Sequence, residues 1–258
     1  MLVEPIYLQL ALLLTFFLSA ALHSSIGLGG GSSYTAWMVI FALPALMIPP
    51  VALSLNILVS SIVSLQFIRK GLMPWKILGL LLIFSLPSAY IGGSLQINEN
   101  SVYSILLVSL VVIVLRLFFF DTSDYPEIGT QRHLRFIYIV CLGTLLGLLA
   151  GTVGIGGGIY LVPMLLMLGL ANIKQAAACG GAFIFCNSLV GLMAKWHSNI
   201  IPFDFEQIAP SLLTVAIGGI LGSQFSINQK NHIALQKVLL VVLVLACLLL
   251  ARRIFLSP

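Results

Sequence analysis

From Pro5 to Ile68 the chain carries no Lys, Arg, Asp or Glu, and a second such run extends from Phe136 to Ile173. Segments that long without charge cannot cover a water-facing surface. The composition extends the point to the whole chain. Of 258 residues, 60% are hydrophobic and 7% are charged, against about 25% charged in a soluble domain. Mean hydropathy is +1.15. The expected class is an all-α polytopic membrane protein.

Further charge-free runs cover 77–98, 100–115, 175–194, 207–229 and 238–251. A spanning helix needs about 20 apolar residues, so the two longest runs each hold more than one element. Eight transmembrane helices are expected, at 6–23, 50–68, 77–95, 102–120, 136–150, 175–194, 208–225 and 234–251. Arg116 and Lys237 lie where long side chains can snorkel to the interface. The apolar stretch at 6–23 follows Glu4 with no basic residue before it. It is therefore read as a span and not as a secretory leader.

Two short helices, at 33–43 and 159–169, are expected inside the long runs. At about 1.5 Å per residue neither crosses a core of about 30 Å on its own. Each follows a glycine cluster, GLGGGSSY from Gly27 to Tyr34 and GIGGGIY from Gly154 to Tyr160. Adjacent glycines argue for a broken backbone, because a packing ridge needs only one glycine per turn. Gly143, Gly147 and Gly151, at four-residue spacing, read instead as a packing stripe.

Gly27 and Gly154 are 127 residues apart, Pro74 and Pro202 128, and the pairs Gly92-Gly93 and Gly218-Gly219 126. The order of features matches, which marks an internal repeat. Residues 1–120 form the first transmembrane repeat, 121–135 a polar linker and 136–258 the second repeat. Paired interruptions in a repeated membrane protein point to a secondary transporter with its site at the breaks. Arg69, Lys70 and Lys76 mark one loop as cytoplasmic. Arg116, Arg132 and Arg135 flank the linker, and Arg252 and Arg253 end the chain. All fall on one side if the short helices dip and return, giving four spans per half and parallel repeats. If the short helices cross, each half has five, the repeats are inverted, and Arg252 and Arg253 lie outside. The eight-span arrangement is the expectation.

A glycine cluster at a helix start leaves backbone N–H groups pointing one way, with the positive end of the helix dipole behind them. Such a terminus binds anions. The expected substrate-binding residues are Gly29, Gly30, Gly31, Ser32 and Ser33 in the first break and Gly156, Gly157 and Gly158 in the second. Asn56, Ser60 and Asn187 join them as neutral donors on helix faces; an interhelical hydrogen bond is the plainer role for each. His23, just before the first break, reads either as a titrating group or as a polar cap. Glu4, Glu99, Asp121, Asp124, Glu127, Asp204 and Glu206 all fall in loops or near termini. A buried carboxylate for cation or proton coupling is therefore not expected.

Cys141, Cys179, Cys186 and Cys247 lie in apolar segments without a CxxC, so no metal and no cofactor are expected. The net charge of +5 is scattered over short loops, which argues for membrane topology and against nucleic acid. No phosphate-loop or dinucleotide motif occurs. An enzyme would need a nucleophile with a base, or a metal set, and the chain offers isolated His residues.

At these residues the chain resembles the sulfite exporter TauE/SafE family, over about residues 10 to 250. The motifs that carry the likeness are Gly27-Leu28-Gly29-Gly30-Gly31 and Gly154-Ile155-Gly156-Gly157-Gly158. Pro163-Met164-Leu165 is similar to the Pro-x-Leu after the second cluster of that family, and Gly71 to Trp75 to its Gly-x-x-x-Trp loop. The paired glycines fit as well. Ala36 stands in the first half where Pro163 stands in the second, and Asn56 is an unusual polar side chain there. The resemblance implies a carrier of sulfite, sulfonates or related sulfur-containing anions. The expected function is thus secondary transport of a small anion, sulfite or an organosulfonate, by alternating access; the alternative is a passive anion channel. The lipid bilayer is the expected surrounding, a bacterial inner (plasma) membrane the expected location, and a homodimer one possible assembly.

Overall fold

The computed structural model describes residues 6–119, 132–201, 205–224 and 229–256. The first half holds α1 (Ile6–Ser25), α2 (Gly31–Ile40), a 3-10 turn (Ala45–Met47), α3 (Ile48–Arg69), α4 (Trp75–Ser94) and α5 (Glu99–Phe119). The second holds α6 (Arg132–Val153), α7 (Gly158–Met167), α8 (Ile173–His197), α9 (Phe205–Gln224) and α10 (Gln229–Leu256). There is no strand among the described residues.

Local chemistry sets several of these boundaries. Pro49 and Pro50 sit in the first turn of α3, where a missing N–H costs nothing. α8 opens on a capping box, in which the Asn172 side chain accepts from the Gln175 amide and the Gln175 side chain accepts from the Asn172 amide, so two end donors are satisfied together. α6 begins at Arg132, inside the expected linker. The rest of that linker, 121–131, lies outside the described residues. The two short helices start at Gly31 and Gly158, directly on the glycine clusters.

Among the described residues, five elements are long and apolar enough to cross a membrane: Ile6–Ser25, Ala45–Arg69, Trp75–Ser94, Phe136–Val153 and Ile173–His197. Shorter apolar helices run over Glu99–Leu115, Gly158–Met167 and Leu240–Arg252. Leu14, Ile83, Val108, Leu213 and Leu248 are all exposed on the outside of the bundle. A surface that apolar suits lipid and not water.

Close glycine contacts fix which way the helices run. A Cβ on Gly218 of α9 would meet the Phe17 carbonyl of α1, and one on Gly222 would meet the Ala21 carbonyl one turn on. α1 and α9 therefore run in the same direction. Gly219 faces Val59 and Ile62 of α3, and the Gln66 amide donates to the Ser223 hydroxyl at 2.6 Å. α3 and α9 are thus parallel too, and so are α1 and α3. In the second half, Gly143 meets Leu81, Gly147 meets Ser85, and Gly151 meets Ala89 and Gly93. α6 runs with α4, and the stripe at four-residue spacing is the packing ridge its sequence predicted. Gly181 faces Val63 and Ser64 while Gly191 faces Leu53, so α8 is antiparallel to α3.

These directions correct the eight-span expectation, which requires α1 and α3 to be antiparallel. Gly27 lies against Phe67, near the end of α3, and Gly31 against Asn56, at its middle. The first break and α2 carry the chain back along the bundle to the start of α3. The second segment mirrors this. Gly154 lies against Pro49 and Ala52, Gly156 against Asn56, and Gly180 of α8 against Val162 of α7. An extended glycine segment plus a ten-residue helix covers a distance that the helix alone does not. Length and hydropathy alone therefore miss these two traverses.

Candidate functional site

Both breaks arrive at Asn56, which is fully buried in the middle of α3. Its Nδ2 donates to the Gly154 carbonyl at 3.0 Å. A Cβ on Gly31 would stand 2.5 Å from that Nδ2 and 2.5 Å from the Ile155 carbonyl oxygen. One on Gly29 would stand 3.3 Å from Asn56 Oδ1, and one on Gly156 3.1 Å from Nδ2. Asn56 is therefore wedged between the two breaks and clips the second to α3. Ile184 of α8 closes the other side, since added Cβ atoms on Gly29, Gly156 and Gly158 would all press on it. Only glycine lets the two backbones approach a third side chain this closely.

The backbone at both breaks turns left-handed just before its helix. Gly30, the N-cap of α2, has φ 90, and Gly157, the N-cap of α7, has φ 69. Neither helix start has a side-chain cap. The Gly30 carbonyl accepts from the amides of Ser33 and Tyr34, and the Gly157 carbonyl from those of Tyr160 and Leu161. Among the described residues no acceptor meets the amides of Gly29, Gly30, Gly31 and Ser32, or those of Ile155, Gly156, Gly157 and Ile159. All eight residues are buried. Buried amides without partners are rare and costly in protein interiors. Here they come from two chain segments converging on one point, with two helix dipoles behind them. Chemically, the arrangement suits an anionic group.

The remaining expected site residues divide. Gly30 abuts the ring of Tyr34 on its own helix, and Gly157 abuts Phe183 and Leu146. Ser32 is buried on the first turn of α2. The Ser33 hydroxyl is taken up by α1: it donates to His23 Nε2 at 3.4 Å. His23 Nδ1 donates to the Ser19 carbonyl at 2.9 Å, which fixes the neutral tautomer. His23 is thus buried and engaged, not an interfacial cap. The Ser60 hydroxyl donates back to the Asn56 carbonyl within α3. Asn187 Nδ2 donates to the Phe183 carbonyl of its own helix at 2.9 Å, and its Oδ1 has no partner. Ile184 was not legible as a site residue, because an isoleucine in an apolar helix carries no signal. Among the described residues, no group of three or more His, Cys, Asp or Glu is placed to hold a metal ion.

Residues 12–250 match the sulfite exporter TauE/SafE family. A probable membrane transporter protein of Sinorhizobium fredii is 28% identical over 238 residues, 90% of this chain and 95% of the relative. Another probable membrane transporter protein, from Methanocaldococcus jannaschii, is 28% identical over 232 residues, 85% of this chain and 86% of the relative. No solved structure matches the chain.

Proposed function

The chain belongs to the sulfite exporter TauE/SafE family, a family of multi-pass membrane transporters, and from that premise we propose that it carries a small sulfur oxyanion or organosulfonate by alternating access. The observation that carries the reading is the pair of uncapped glycine breaks meeting at Asn56, with their buried amides unpaired. Amides and helix dipoles attract a negative charge without fixing a counter-charge that would hold it permanently. Gly29, Gly31 and Asn56, with Gly156 and Gly158, form the proposed binding junction. Gly30 and Gly157 set its backbone, and Ser32, Ser33, Ser60 and Asn187 border it.

The helix directions support an inverted repeat of five traverses per half. α1 pairs with α9 as α6 pairs with α4, and α3 and α8 cross antiparallel at the centre. In that arrangement the breaks enter the middle of the membrane from opposite sides, a recurrent device of carriers with inverted repeats. Rocking of the α1–α9 and α4–α6 pairs about α3 and α8 then exposes the junction to each side in turn. The proposed location is the bacterial inner membrane.

Proteoliposomes loaded with sulfite, sulfate, thiosulfate or an alkyl sulfonate test the reading. A carrier shows saturable uptake of at least one of these, and accelerated exchange when the same anion is present inside. Large non-saturating currents identify a passive channel instead. Failure of all four anions to move or to bind overturns the anion reading.

A further inference from the structure

We infer that the Tyr34 hydroxyl is a binding group for the transported anion, donating to one of its oxygens at the first break; this rests on the anion reading given above. Tyr34 lies on α2, one turn after the N-cap Gly30, and is fully buried. Its Oη has no hydrogen-bond partner among the described residues. A buried tyrosine hydroxyl usually finds a partner, and one without a partner carries a desolvation cost. Packing accounts for a large ring at this position. It does not account for the hydroxyl, because phenylalanine would fill the same place.

The ring places that hydroxyl at the break. Side chains on a helix lean towards its N-terminus, so Tyr34 folds back over the start of α2. A Cβ on Gly30 would stand 3.0 Å from Oη and 3.0 Å from Cζ. Backbone bond lengths then put Oη within about 5.5 Å of the Gly30 amide nitrogen. That amide, and those of Gly29, Gly31 and Ser32 beside it, meet no acceptor among the described residues. One anion oxygen at about 2.8 Å from each donor bridges a gap of that size. Two contacts hold the ring in place. Phe16 of α1 meets it edge-on, with centroids 5.6 Å apart and planes at 77°, and the Tyr34 amide donates to the Gly30 carbonyl. In the second half the residue at the offset of 127 is Leu161, also fully buried. Its neighbour Tyr160 donates its hydroxyl to the Ser109 carbonyl. The first break therefore has a free hydroxyl at a position where the second has none. Donation from a phenol to an oxyanion is a charge-assisted hydrogen bond.

The experiment compares purified wild type, Tyr34→Phe and Tyr160→Phe in detergent, with sodium sulfite as the probe and thermal unfolding as the first readout. Phenylalanine keeps the ring and removes only the hydroxyl. Without sulfite, Tyr34→Phe should unfold at or above the wild-type temperature, because no protein hydrogen bond is lost. Tyr160→Phe should unfold below it, because its bond to Ser109 is gone. With sulfite, wild type and Tyr160→Phe should be stabilised alike, and Tyr34→Phe should bind about 10- to 100-fold more weakly. In proteoliposomes Tyr34→Phe should raise the sulfite KM by a similar factor. A Tyr34→Phe protein that loses as much stability as Tyr160→Phe without sulfite makes the hydroxyl structural and overturns the inference. Equal sulfite binding by wild type and Tyr34→Phe also overturns it, and leaves the transporter reading standing. A wild type that sulfite neither stabilises nor crosses defeats the sulfite reading and this inference together.

Discussion

Gly31 is the most constrained position of the junction, because a Cβ there meets both Asn56 Nδ2 and the Ile155 carbonyl. Neither can retreat without breaking the clip between Asn56 and Gly154. Gly31→Ala should therefore cost about 1–3 kcal/mol of stability and at least ~10-fold in transport at matched protein amounts. Asn56→Leu removes the clip but leaves the glycines. It should cost about 1 kcal/mol of stability, the scale of a membrane hydrogen bond, while transport falls further than that loss explains. Gly30→Val and Gly157→Val act through the backbone. Both positions are left-handed, where a β-branched residue is strained, so transport should be abolished while folded protein still reaches the membrane. Gly147→Val differs: its Cβ meets the Ser85 carbonyl on α4 and no residue of the junction, and its damage should appear as lost stability or yield. Equal anion affinity in Gly30→Val, Gly157→Val and the parent, by calorimetry, would show that the breaks do not form the site. The sequence exposed the breaks because three adjacent glycines have no packing rationale. It did not expose Ile184, an isoleucine within an apolar helix.

At the scale of elements, the helices were legible and their directions were not. The breaks, the short helices and the packing stripe of α6 all follow from glycine spacing. Charge could not decide whether the breaks dip or traverse. In the eight-span arrangement Lys195, Arg252 and Arg253 are inside and Lys174, Lys230 and Lys237 outside; in the inverted arrangement the two sets exchange. Three basic residues replace three, so the positive-inside rule is indifferent. The contacts that decide lie between helices distant in sequence, such as Gln66 with Ser223. The inverted arrangement makes a prediction. A cysteine in place of Ser257, in a background lacking Cys141, Cys179, Cys186 and Cys247, should react with impermeant thiol reagents from outside intact cells. A cysteine in place of Lys70 should be protected. The opposite pattern restores the parallel repeat.

For the whole molecule, the account is that neutral donors and dipoles hold the anion, with no buried carboxylate taking part. Glu206 lies in the first turn of α9 and Asp204 falls outside the described residues; as residues the sequence places in a loop, Asp204→Asn and Glu206→Gln should each leave transport within a few-fold of the parent. A collapse at normal expression would expose a coupling carboxylate that the account lacks. The central claim is that two inverted halves alternate access to one anion at the Asn56 junction. Counterflow measures it most directly. Proteoliposomes loaded with unlabelled sulfite are diluted into labelled sulfite, with the parent, Gly31→Ala and Asn56→Leu compared at equal protein. The account predicts transient accumulation of label by the parent, saturating with external sulfite, and little or none by either variant. Entry of label without accumulation, or accumulation equal in all three proteins, would contradict it.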